Sequence, residues 1–117
     1  MLISITTDFG EKDGYVGTMK GVMAGIAPGV PLIDITQTIS PQNVRETAYV
    51  LWTAVPYFPA DAVHLVVVDP GVGTSRLAIA ARSPMGLFVG PDNGVFSYVW
   101  SVAPPDIVVA LTNPAYQ

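Results

Sequence analysis

The sequence predicts an α/β fold: a layered domain with a largely parallel central sheet flanked by helices. Three observations predict it. Short runs rich in β-branched residues alternate with stretches whose apolar residues recur at helical spacing. The run "AVHLVVVD" (62–69) is apolar almost throughout, as expected of a strand buried on both faces of a parallel sheet. Glycine-rich turns follow the strands, where an α/β sheet presents its ligand-binding edge.

The elements follow in order. "LISITT" (2–7) is an apolar strand that ends in the loop "DFGEKDG". Val16, Met19, Met23 and Ile26 form a helical stripe, with Asp13 at the expected N-cap. "APGVP" (27–31) stops that helix, and "LIDIT" (32–36) is a second strand. A second helix is expected to start at Ser40 as N-cap with Pro41 in the first turn. Its apolar face is Val44, Ala48, Leu51, Trp52 and Val55, with Trp52 read as core. After the valine strand, "LAIAAR" (77–82) and "GLFVG" (86–90) read as two strands. "DNGVFSYVW" (92–100) reads as a short helix or turn, and "DIVVAL" (106–111) as a last strand.

Composition limits the function. The 117 residues suffice for one modest core. A net charge of −4, without a Lys/Arg cluster, argues against nucleic acid. No cysteine is present, so thiolate chemistry and disulfides are out. No apolar run reaches the ~20 residues of a membrane span, and the N-terminus lacks signal-peptide character, so a cytoplasmic chain is expected. From Pro84 to Gln117 the only charged side chains are Asp92 and Asp106. That segment either supplies central strands or faces another domain or subunit.

Asp8, Asp69 and Asp92 each fall at the predicted carboxyl edge of a strand, beside glycine. Each also has a bland reading as a turn former, and Asp13 as a plain cap. His64, inside the valine strand, reads as a core histidine. Phosphate loops, dinucleotide fingerprints and the nucleophile elbow are absent from the sequence. In "VVVDPGVGTSR" (66–76) an acid and a guanidinium, Asp69 and Arg76, bracket one glycine loop. Such a pair can orient and polarise a water.

Four blocks together, "TDFGEKDGYVGTMKG" (7–21), "DITQTISPQNV" (34–44), "VVDPGVGTSR" (67–76) and "GPDNGVF" (90–96), resemble the adenosine-forming S-adenosylmethionine (SAM) hydrolases, relatives of the fluorinases and chlorinases. The resemblance implies attack of water or hydroxide on C5′ of SAM, yielding adenosine and methionine, with no metal or cofactor. It implies Asp69 and Arg76 as catalytic residues, and Asp8 and Asp13 as substrate-binding ones. Asn93 joins them as a site-lining residue. It also implies a homotrimer whose subunits carry a further β-rich C-terminal domain. On that reading residues 1–117 are an N-terminal domain, incomplete at its C-terminal end. The family's catalytic histidine would then lie beyond Gln117, since His64 does not match it. Asp69, Val72 and Gln42 stand where the fluorinases carry Tyr, Thr and an aromatic, which favours water over halide. Two alternatives stay open: a Mg²⁺-dependent phosphohydrolase using Asp8, Asp69 and Asp92, and a non-catalytic fragment that binds an adenosyl ligand.

Overall fold

A computed structural model describes residues 1–10, 14–69 and 78–112. Among these residues six strands form one sheet: β1 (Ile3–Thr7), β2 (Leu32–Thr36), β3 (Val63–Val67), β4 (Ala78–Ser83), β5 (Gly86–Pro91) and β6 (Ile107–Ala110). Their spatial order is β2-β1-β3-β5-β4-β6. The pairings β1–β2, β1–β3 and β3–β5 are parallel. The pairings of β4 with β5 and with β6 are antiparallel. The three helices among the described residues are α1 (Tyr15–Ile26), α2 (Val44–Ala54) and α3 (Ser97–Val102). A 3₁₀ turn at Val55–Tyr57 extends α2.

Alternation along the strands sends side chains to two faces. One face packs on α2 and α3. Its core joins Leu51 and Val55 to Val66, Ile79, Ala81 and Phe88, with Val95, Phe96 and Val99 from the turn and helix that follow β5. Phe88 sits at the centre, with the rings of His64, Phe96 and Trp100 within 6.1 Å of its own. Gly90 lies under Phe96. A Cβ there would stand 2.9 Å from the Phe96 ring and from the Val66 carbonyl oxygen, so only glycine fits unshifted.

His64 is fully buried on this face, its Nδ1 2.6 Å from the Ser4 hydroxyl. Burial lowers its pKa to about 4. It is a core histidine held in its neutral form.

The other face carries α1, fastened by Lys20 to Asp34 of β2 at 2.8 Å. Ile5 is fully buried, yet no residue of α1 is. Three helix expectations need correcting. The cap position of α1 is Gly14, without a side-chain cap bond; Asp13 lies outside the described residues. The α2 cap is Asn43, whose Oδ1 accepts from the Glu46 amide at 2.9 Å, because the residues from Ser40 to Asn43 first close a turn. Trp52 is 46% exposed. Leu51 and Val55, one turn apart, point into the core, and Trp52 lies to the side, against Tyr49. The valine strand also differs from expectation: Val66 is buried, whereas Val63, Leu65 and Val67 are only half-buried.

Candidate active site

The parallel strands β1, β3 and β5 are neighbours and run the same way, so their carboxyl ends share one edge. Asp8 follows β1 directly, Asp69 lies two residues past β3, and Asp92 follows β5. Thr7 is in register with Val67, which places Asp8 and Asp69 at adjacent strand ends. This is the edge at which open α/β sheets bind ligands.

Asp8 is held by a long-range contact. The Gln42 amide N–H donates to its Oδ2 at 2.7 Å, across 34 residues of sequence. Gln42 has φ 61°, the only positive φ among the described residues other than glycine. The left-handed conformation costs a non-glycine residue about 1 kcal/mol. Here it turns the backbone donor toward the carboxylate.

The base of the Asp8 loop is pinned as well. The Thr7 hydroxyl donates to Gln37 Oε1 and accepts from the Phe9 amide. Gly10 N–H donates to the Gln37 carbonyl at 2.8 Å. Gln37 is 3% exposed, and its Nε2 has no hydrogen-bond partner among the described residues. Gln37 is a residue that reading the sequence passed over. Its place in "DITQTIS" is the one signal that could have raised it.

Asp69 is half-buried and lines a hollow of about 300 Å³ with Leu65, Val67, Ala78, Val89, Gly90 and Pro91 among its walls. A carboxylate at the rim of an apolar hollow suits the orientation of a water against a bound substrate. Asn93 braces the same corner. Its Nδ2 donates to the Val68 carbonyl at 3.0 Å, and its Oδ1 accepts from the Val95 amide at 3.2 Å. Both ends of the Asn93 amide are thus spent on backbone, next to Asp69. Asp92 is exposed in the turn. Arg76 and Asp13 lie outside the described residues. Among the described residues no three His, Cys, Asp or Glu side chains gather to hold a metal ion. No helix among them is long and apolar enough to cross a membrane.

A sequence model described as the SAM hydroxide adenosyltransferase N-terminal domain matches residues 3–117. The chain belongs to the SAM hydroxide adenosyltransferase family. Within it, this chain is 50% identical over 113 residues to an (R)-S-adenosyl-L-methionine hydrolase of Salinispora arenicola, covering 96% of this chain and 43% of the relative. A fluorinase of an Actinoplanes species is 31% identical over 81 residues, 69% of this chain and 27% of the relative. An uncharacterized conserved protein of Thermotoga maritima has a similar solved structure, with TM-score 0.94 and 42% identity, covering 97% of this chain and 44% of that one. This SAM hydroxide adenosyltransferase domain therefore spans less than half the length of these relatives.

Proposed function

We propose that the chain supplies the N-terminal part of a site that hydrolyses SAM to adenosine and L-methionine. The observation that carries this reading is the placement of Asp8 and Asp69 at adjacent parallel strand ends, in a chain half identical to a named (R)-SAM hydrolase. That name makes the (R) sulfonium epimer the expected substrate.

In the reaction an oxygen–C5′ bond forms and the C5′–sulfur bond breaks. The bonding pair returns to sulfur, which leaves as a neutral thioether, so the leaving group needs no acid. The water's proton passes to a base at the nucleophile side. Asp69 orients the water, and Arg76 is assigned to the same step. Asp8, its carboxylate fixed by the Gln42 amide, accepts hydroxyl groups of the ribose. Asp13 serves the methionine end. Because positive charge disperses as sulfur becomes neutral, an apolar surround favours the transition state, and a carboxylate fixed at the attacking water stabilises the positive charge that develops on its oxygen. The remaining groups, a histidine base among them, would come from the portion that the relatives carry outside the match, in a metal-free homotrimer.

The test is mass spectrometry in H₂¹⁸O with the (R) and (S) epimers given separately to this chain co-expressed with the remainder of the Salinispora relative. The expected result is ¹⁸O-labelled adenosine, faster from the (R) epimer and lost in Asp69→Ala. Unlabelled adenosine, or turnover indifferent to Asp69→Ala, overturns the reading. Activity lost on chelation would transfer it to the Mg²⁺ alternative.

A further inference from the structure

β2 runs parallel to β1, so the chain that leaves β2 passes beside the chain that leaves β1. Residues 37–42 lie there as a strap along the Asp8 loop. The Gln37 carbonyl accepts from the Gly10 amide at 2.8 Å, and the Ile39 amide donates to the Thr7 carbonyl at 3.3 Å. The Gln42 amide donates to the Asp8 carboxylate itself at 2.7 Å. The strap is tied to α2 in turn, where the Ser40 amide donates to the Glu46 carboxylate at 3.3 Å. All of these use the strap's backbone, so they make little demand on its sequence.

The bond between the Thr7 hydroxyl and Gln37 Oε1 is different, because it needs a particular strap side chain. The Thr7 hydroxyl also accepts from the Phe9 amide at 3.2 Å, so its direction is passed to the residue that follows Asp8. Thr7 is fully buried and Gln37 nearly so, and a hydrogen bond away from water holds its geometry firmly. For stability alone the glutamine is a poor choice. Its Nε2 is buried without a partner among the described residues. An unpaired buried amide costs at least what one neutral hydrogen bond returns. A methionine would fill the place without that cost. What Gln37 supplies and an apolar residue cannot is direction. It fixes the hydroxyl on one side of Asp8, while the Gln42 amide fixes the carboxylate on the other.

We infer that Gln37 is a positioning residue for Asp8, and that it sets how tightly substrate is held and not how fast water attacks. It acts through Thr7 and the Asp8 loop. The inference rests on the proposed role of Asp8 toward the ribose. Asp69 has separate support in the Asn93 bond to the Val68 carbonyl, so the two carboxylates can be disturbed independently.

The test uses Gln37→Met, Thr7→Val and the double variant, with Thr7→Ser as the conservative control. In the 117-residue chain alone, hydrogen exchange at the Phe9 and Gln42 amides should quicken about ten-fold in Gln37→Met, with the β3 amides unchanged. In the chain co-expressed with the remainder of the Salinispora relative, Gln37→Met and Thr7→Val should each raise KM for (R)-SAM about ten-fold and leave kcat within about two-fold. The double variant should be no worse than either single one, because both remove the same bond. Thr7→Ser keeps the hydroxyl and should keep the wild-type KM. Unchanged exchange at Gln42 overturns the inference, as does a fall in kcat at constant KM, or additive effects of the two single variants. Unfolding of Gln37→Met, read by circular dichroism, overturns it too, since the glutamine would then serve stability. Absence of labelled adenosine from the wild-type pair would overturn the proposed function instead, and exchange in the chain alone would still decide whether Gln37 holds Asp8.

Discussion

Phe88 and Leu87 are neighbours on β5, and they show how differently the two faces of the sheet are finished. Phe88 is fully buried among three rings, whereas Leu87 is 40% exposed on a bare surface. Both faces are apolar in composition. On one, α2, α3 and the turn after β5 supply the second layer; on the other, α1 covers one side and buries none of its own residues. The stability of the described residues therefore resides on the α2–α3 face.

The comparison can be broken by substitution, beginning where the effect is largest. Phe88→Ala should cost ~3–5 kcal/mol, since a ring at the centre of the closed face leaves a cavity. Urea denaturation would show it as a midpoint shift or as outright unfolding. The next effect is pH. His64 is held near pKa 4 when folded, against ~6.5 unfolded. Above the unfolded value both states are neutral and the fold is unaffected. As pH falls from ~6.5 toward 4 the unfolded chain takes up a proton that the folded one refuses, so roughly 3 kcal/mol should be lost across that window. A stability profile without that fall, or one retained in His64→Phe, would contradict the buried neutral histidine. Gly90→Ala should cost ~1–3 kcal/mol because its methyl meets the Phe96 ring and the Val66 carbonyl. At the rim, Gln42→Gly should raise stability by up to ~1 kcal/mol by relieving the left-handed backbone. Thermal melting resolves that sign. Least of all, Leu87→Lys should change the stability of the isolated chain by no more than ~0.5 kcal/mol. A large loss there would mean that the open face is closed after all.

Most of the fold could be read from the sequence because its strands declare themselves locally. β-Branched runs bounded by glycine and proline give each strand within a residue or two. What failed was local competition. Ser40 and Pro41 have the chemistry of a helix start, but a turn through Gln42 comes first and hands the cap to Asn43. Trp52 is near enough to the apolar stripe to look buried, and only the packing of Leu51 and Val55 decides otherwise. The site was legible to the extent that parallel strands align their carboxyl ends, which brings Asp8 and Asp69 together. The Gln42 amide on Asp8 was not legible, because it depends on a backbone angle and on an approach across 34 residues. Asn93 was expected to line the site, and its bond to the Val68 carbonyl could be read only from the strand order.

The strand order also bears on how the chain assembles in time. Synthesis delivers β4 before β5, yet β5 occupies the place beside β3 and β4 lies one further out. A nascent chain thus offers β3 the wrong neighbour first. The remedy is the tight turn between Ser83 and Gly86, where the Met85 amide donates to the Ser83 hydroxyl at 3.0 Å. A hairpin closes in ~1–10 μs, while a ribosome adds only ~5–20 residues per second. β4 and β5 therefore zip together almost as soon as β5 emerges, and the pair can settle against β3 as one piece, in the right order.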